Sequence, residues 1–308
     1  MSAPLRLSLL LIAIGLAGCG GSVSHSNTPG PTPAPFTATA DHVVLVVLEN
    51  HSFNEVIGSS SMPYLNALAS QHALATNYFA DAHPSLTDYF LLTTGLPETI
   101  DNNFAGTVTD DNMVRALTGS NKTWRAYMEG LPSVGYAGDD VWPYLKHHDP
   151  FVYLSDVLSS TAMSANVVPV TQLSADLSSG TLQNFSFVAP DAENDAHSCP
   201  GNAPTCPDTD KLVRADNWLK NNIDPLINSP AFGNGVVIIT WDEGDVTDIA
   251  SGGGQVATVL VGPHVKTGFR SVTFYDHEST LRLILDLLHV SDHPGASAFA
   301  PSMGEFFQ

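Results

Sequence analysis

Basic residues are scarce in this 308-residue chain: eleven Lys and Arg stand against 31 Asp and Glu, a formal net charge of -20. A field of that sign repels nucleic acid and anionic headgroups, so a basic-patch binder is excluded. Long apolar runs are absent as well, since Leu7 to Leu16 falls short of the ~20 residues that a bilayer span needs. No GxSxG elbow, HExxH helix or P-loop occurs, so a lipase-type triad, a zincin and a P-loop NTPase have no support. The chain shows neither an internal repeat nor a second linker.

What is there begins with an export signal. Arg6 and the terminal amine precede the apolar run, and Leu16-Ala17-Gly18-Cys19 forms a lipobox, the cleavage signature of bacterial lipoproteins. Residues 1–19 are therefore expected to be a lipoprotein signal, with Cys19 the lipidated first residue of the mature chain; an ordinary signal peptide or a membrane anchor is the alternative. Gly20, where an aspartate would retain a lipoprotein at the inner membrane, resembles outer-membrane sorting. The expected location is the outer membrane of a Gram-negative cell, facing the periplasm, with membrane contact only through the lipid. Residues 20–40, rich in Ser, Thr, Gly and Pro, read as a tether that cannot bury enough apolar surface to fold. One domain is left over 41–308. Cys199 and Cys206, in the turn-rich SCPGNAPTCP, are expected to form a disulfide in an oxidising compartment rather than a metal-binding pair.

Within 41–308 the pattern alternates. Short apolar, β-branched or aromatic runs predict strands at 43–48, 74–79, 123–128, 184–189, 235–241 and 256–261. Helical spacing predicts helices at 62–70, 86–94, 111–118, 152–160, 171–178, 209–228 and 277–289, as in the apolar series Leu281, Ile284, Leu285 and Leu288. This is an α/β pattern, a mostly parallel sheet covered by helices on both faces. Ligands in such folds collect at the carboxyl ends of the strands. Glu49-Asn50 follows VVLVVL, and Asp242-Glu243 follows VVIITW.

Carboxylates drawn to one rim from separated strands repel one another, and with few basic residues to balance them a divalent cation is the economical explanation. Ser85, in His83-Pro84-Ser85-Leu86-Thr87-Asp88-Tyr89, starts an apolar run that stops at Gly95. It is expected to be a helix N-cap, facing an anion with the helix amides or serving as a structural cap. A bound cation would lower the pKa of its hydroxyl and make it a nucleophile. Asp195 with His197, and His277, suit a second metal site or acid/base duty. His147-His148-Asp149 reads as an exposed loop. Together these features predict a metal-assisted phosphate-ester hydrolase.

The motifs VLENHSF (47–53), HPSLTDYFLLTTG (83–95), NDAHSCP (194–200), ADNWLKNNIDPLI (215–227), ITWDEG (239–244), VGPHVKTG (261–268) and YDHESTLRLILDLL (275–288) resemble, in order and approximate spacing, the bacterial phosphoesterase family. That family holds phospholipases C and acid phosphatases and belongs to the alkaline phosphatase superfamily. The resemblance implies an alkaline-phosphatase-like three-layer α/β/α sandwich, a phosphoryl-enzyme on Ser85, and metal ligation by Glu49, Asn50, Asp242 and Glu243. Asp195, His197 and His277 fall on its remaining polar active-site positions, Asp195 as a further metal ligand and the two histidines as catalytic groups. Asn50 and Asp88 fall at phosphate-binding positions. The family usually has Pro-Asn where this chain has Thr87-Asp88, and an ionised aspartate cannot donate to a phosphate oxygen, so Asp88 must be protonated, metal-bound or turned away. A sulfatase is excluded, because Ser85 lacks the following x-Pro-x-Arg.

The expected activity is that of a metal-dependent phosphomonoesterase of acid phosphatase type, with Mg, Ca, Mn or Zn as the ion. A phospholipase C-type phosphodiesterase acting on a phospholipid headgroup is the first alternative, and a non-catalytic metal- or phosphate-binding lipoprotein the second. The chain is short for the family and has no obvious extra domain for grasping lipid, which favours a small phosphate ester as substrate.

Overall fold

The computed structural model describes residues 36–308; the expected lipobox at Cys19 and residues 20–35 of the expected tether lie outside the described residues. Eight strands, β1 (His42–Leu48), β2 (Ala73–Ala75), β3 (Trp124–Met128), β4 (Val167–Pro169), β5 (Phe185–Ala189), β6 (Gly235–Trp241), β7 (Thr258–Val261) and β8 (Phe269–Ser271), form one sheet in the order β4-β3-β5-β1-β6-β7-β2-β8. Only β7 runs antiparallel to its neighbours β6 and β2. The helices are α1 (Phe53–Val56), α2 (Pro63–Gln71), α3 (Ser85–Thr94), α4 (Met113–Gly119), α5 (Ser155–Leu158), α6 (Thr161–Ser164), α7 (Thr171–Ser179), α8 (Asp208–Ile227) and α9 (His277–Leu287). In this three-layer α/β sandwich, α3 packs on α4 and α9, while α2 packs on α8.

The central strands explain themselves. β1 and β6 are buried along almost their whole length, as a strand covered on both faces requires, and their sequences are accordingly unbroken apolar runs rather than alternating ones. Their parallel register runs from His42↔Gly235 to Leu48↔Trp241, so both strands end level. β5 lies on the other side of β1, also parallel. Three adjacent strands therefore release their next residues at one rim.

The departures from expectation lie at the sheet edges and in loops. β4 and β8 have three residues each, too short for a periodic signal, and were not expected. β2 stops at Ala75, and Tyr78 and Phe79 form only isolated bridges, to Tyr275 and Gln255. The expected helix at 152–160 is a 3-10 turn over Pro150–Tyr153 followed by α5, with Leu154 extended between them. At the N-terminal end, Phe36 and Ala38, read as tether, pack against the core, and Phe36 meets Phe307 edge to face with ring centroids 6.2 Å apart. Cys199 and Cys206 are joined by a disulfide.

Candidate active site

Glu49 follows β1, Asp242-Glu243 follows β6, and Asp195 lies in the loop after β5. Backbone bonds weld these segments: Asp242 N–H donates to Leu48 O (2.9 Å) and Glu49 N–H to Asp195 O (2.9 Å). Asn50 adopts the left-handed region at φ 49°, a conformation asparagine tolerates better than most residues. The turn lets its backbone N–H donate to Asp242 Oδ1 (3.2 Å) and its side-chain amide to Glu243 Oε1 (2.9 Å).

Helix α3 brings the serine. Pro84, not Ser85, occupies the N-cap position, and the Ser85 hydroxyl has no capping bond. As the first helical residue it instead directs Oγ to two carboxylates, donating to Glu49 Oε2 and Glu243 Oε1, each at 3.3 Å. The expected N-cap is thereby corrected: the hydroxyl caps nothing and faces the two carboxylates. Asp88 and Tyr89 follow at i+3 and i+4, on the same face of the helix. Tyr89 donates to Glu49 Oε1. All ten residues of α3 are buried.

Asp88 is not turned away. Its Oδ1 accepts from the backbone N–H groups of Asp81 (3.0 Å) and Ala82 (3.2 Å), fastening the segment that leads to Ser85, and lies 3.5 Å from His277 Nε2. His277 is committed at both ring nitrogens, Nε2 to Asp242 O at 2.5 Å and Nδ1 to the Tyr78 hydroxyl at 3.0 Å. Burial lowers its pKa to about 4. His197 is half-buried: its N–H donates to Asp195 Oδ1 (2.7 Å) and its Nδ1 meets Ser198 Oγ (2.8 Å).

The reading of His147-His148-Asp149 as an exposed loop is wrong. A 3-10 turn over Lys146–His148 carries His148 and Asp149 inward, where both are buried. His148 Nε2 lies 3.3 Å from Glu49 Oε1, and Nδ1 lies 3.3 Å from Asp195 Oδ2. Its ring stacks on Tyr89 with centroids 5.6 Å apart. Sequence reasoning also passed over His83, whose Nδ1 meets Glu243 Oε2 at 2.7 Å and whose Nε2 meets Asp248 O at 3.0 Å. Its signal was its place beside Pro84-Ser85. For His148 the available signal was the apolar PFVYL that follows, which draws the turn into the core.

Electrostatically the site is starved of positive charge. Burial, then the neighbouring carboxylates Asp242 and Asp195, raises Glu49 well above the usual carboxylate range. Burial and Glu243 do the same to Asp242, and burial and Asp242 to Asp88. Burial lifts Glu243 and Asp195 to about 7 each. Among the described residues, no lysine or arginine forms an ion pair with any of these groups. Five buried polar atoms here have no hydrogen-bond partner: Asn50 Oδ1, Asp88 Oδ2, His148 Nε2, Asp195 Oδ2 and Asp242 Oδ2. An orphaned buried polar atom costs about 1–3 kcal/mol, so such a concentration calls for a counter-charge. Oxygen donors with one imidazole fit a divalent cation, and Glu49, His148 and Asp195 offer ligand atoms all within 4.8 Å of one another.

Asn50 and His197 also line an adjoining cleft of about 170 Å³, whose wall includes His51, Glu55, Lys211 and Asp245 with Ala196 and Val246 as its apolar part.

Comparison with known proteins matches residues 59–291 to the model of the Phosphoesterase family. The chain is 30% identical over 255 residues, 81% of its length, to a phosphatidylinositol-3-phosphatase of Mycobacterium tuberculosis, and covers 78% of that protein. It is 26% identical to a probable acid phosphatase of Kluyveromyces lactis over 82% of its length, and 29% identical to a phosphate-repressible acid phosphatase of Penicillium chrysogenum over 78%. It spans 59% and 57% of those two fungal proteins. In fold it is similar to a protein of the alkaline phosphatase superfamily from Vibrio parahaemolyticus, with a TM-score of 0.59 at 12% identity, covering 84% of this chain and 68% of that one. The lipoteichoic acid synthase LtaP of Listeria monocytogenes is similar too, with a TM-score of 0.60 at 14% identity, covering 83% and 74%.

Proposed function

This chain belongs to the Phosphoesterase family, and on that premise we propose that it is a phosphate-ester hydrolase, a phosphomonoesterase that uses Ser85 as nucleophile and a divalent ion as cofactor. The observation that carries the reading is the Ser85 hydroxyl, unbound by any cap, at 3.3 Å from both Glu49 Oε2 and Glu243 Oε1. One carboxylate takes the hydroxyl proton as Oγ attacks phosphorus, the P–O bond to the alcohol breaks, and water then hydrolyses the phosphoserine.

Glu49, Asn50, Asp242, Glu243 and Asp195, with His148, would hold the ion, which when bound supplies charge neutralisation and acidifies the serine hydroxyl. The amides of Leu86 and Thr87 in the first turn of α3 are taken by Asn102 Oδ1 and Pro84 O, so they leave the charge of the phosphoryl group to the ion. His197, on the cleft side, hands a proton to the leaving alcohol. His277, committed at both nitrogens, is a positioning residue that fixes the Asp242 backbone. With one Asp88 oxygen already taken by two backbone amides, its place in phosphate binding falls to Oδ2. Supporting the choice of activity, two fungal relatives carry acid phosphatase names. The lipobox adds a proposed location, an outer-membrane lipoprotein facing the periplasm.

The test is Ser85→Ala with and without added divalent ion, assayed on 4-nitrophenyl phosphate and on phosphatidylcholine. Loss of about 10³-fold or more in turnover is expected, with a labelled phosphoryl group trapped on Ser85 in the parent enzyme. A label on another residue, or a near-native rate for the variant, sinks the proposal; release of phosphocholine without monoesterase activity would make it a phospholipase C.

A further inference from the structure

The cleft beside Asn50 is built in a way that a chance surface hollow is not. Each polar side chain on its wall is anchored by one atom and keeps another uncommitted. His51 holds Glu49 O through Nδ1 (3.1 Å), and His197 holds Ser198 Oγ through Nδ1 (2.8 Å), so both keep Nε2 for a ligand. Lys211 Nζ is steadied by Asp208 Oδ1 at 2.9 Å and retains further N–H donors. Glu55 is fixed through Oε2 by the Ser52 N–H (2.8 Å), and Asp245 through Oδ1 by the Thr247 N–H (2.9 Å), so each keeps its second oxygen. Asn50 joins this wall to the chemistry, since its amide donates to the Glu243 oxygen that also accepts from Ser85.

Donors and acceptors are thus interleaved around one small space. An anionic group entering it meets Glu55, Asp208 and Asp245, while a cationic group meets Lys211. An alkyl or aryl group could lie only against Ala196 and Val246, and would strip water from the polar groups and return no hydrogen bond, leaving them unpaired at a cost. Neighbouring hydroxyl groups, each both donor and acceptor, can pair with the whole set.

Resting on the reading of Ser85 as nucleophile, we propose that this cleft is the leaving-group subsite and that the substrates are phosphate esters of small polyhydroxylated alcohols, with Lys211 a specificity-determining residue. The test compares glycerol 1-phosphate with propyl phosphate, whose leaving alcohols differ mainly in hydroxyl content, using the full chain with its divalent ion. Glycerol 1-phosphate should be favoured in kcat/KM by about tenfold or more. Lys211→Met and, separately, Asp245→Asn should each narrow that ratio at least about threefold through KM, and a thermal melt shows whether each variant is folded. Equal kcat/KM for the two esters, or an unchanged ratio in both folded variants, overturns the inference while leaving a working phosphomonoesterase. An enzyme inert towards both esters and towards 4-nitrophenyl phosphate overturns the underlying reading and this inference with it.

Discussion

The hydroxyl of Tyr89 donates to Glu49 Oε1 while that of Ser85, one helical turn earlier, donates to Oε2 of the same carboxylate. Helix α3 thus grips Glu49 from both sides. Tyr89→Phe should leave the fold intact, because only a hydroxyl is lost, but weaken divalent-ion affinity by about tenfold to a hundredfold, the usual penalty for removing a group that orients a ligand. Calorimetric titration with the ion checks this; unchanged affinity would make the tyrosine a packing residue only.

Removing the ion should abolish hydrolysis, and Asp242→Asn should raise the dissociation constant by at least about tenfold. Asp242 has one oxygen bound to the Asn50 N–H and one orphaned, so the amide changes the oxygen left for the ion. Full activity in excess chelator, with no metal found by elemental analysis, would remove the cation from the account.

The buried carboxylates set the sign of the metal-free protein's pH dependence. Glu243 and Asp195, raised to about 7, and Asp81, raised to about 8, all chiefly by burial, keep their protons in the folded state to higher pH than in the unfolded chain. As pH rises above the ordinary carboxylate range the unfolded state therefore gains, until the folded pKa values are passed. His277, held low, opposes this only below about pH 6.5, where an unfolded histidine protonates. In chelator the melting temperature should consequently fall as pH rises from 6.5 to 8, the stability dropping by up to about 1.4 kcal/mol per pH unit for each group still titrating. Divalent ion, which binds the ionised carboxylates, should flatten the slope. A melting temperature that rises with pH in chelator would contradict the assignment.

At the N-terminus, Cys19→Ser should release into the soluble fraction a protein that otherwise sediments with membranes. Equal membrane recovery for both forms would sink the lipid anchor.

Features that rest on short-range pattern are legible along the chain. VVLVVL and VVIITW are continuous apolar runs because β1 and β6 are covered on both faces, and the carboxylates after them are legible because parallel strands end together. The helix opening near Ser85 and closing at Gly95 could be read within a residue, although the cap belongs to Pro84. Groups whose role depends on distant neighbours acquire it only in the folded chain. Edge strands β4 and β8 exist because other strands accept their hydrogen bonds, not because three residues prefer to be extended. His148 reads as loop because its turn has no period, and becomes a site residue only when that turn folds between Glu49 and Asp195. Only the fold shows that one Asp88 oxygen holds the Asp81 and Ala82 amides while the other has no partner, and that His277 meets Asp242 O and the Tyr78 hydroxyl through its two ring nitrogens. Local propensity and periodicity are written along the chain, whereas the partner of a buried polar atom is chosen by the fold.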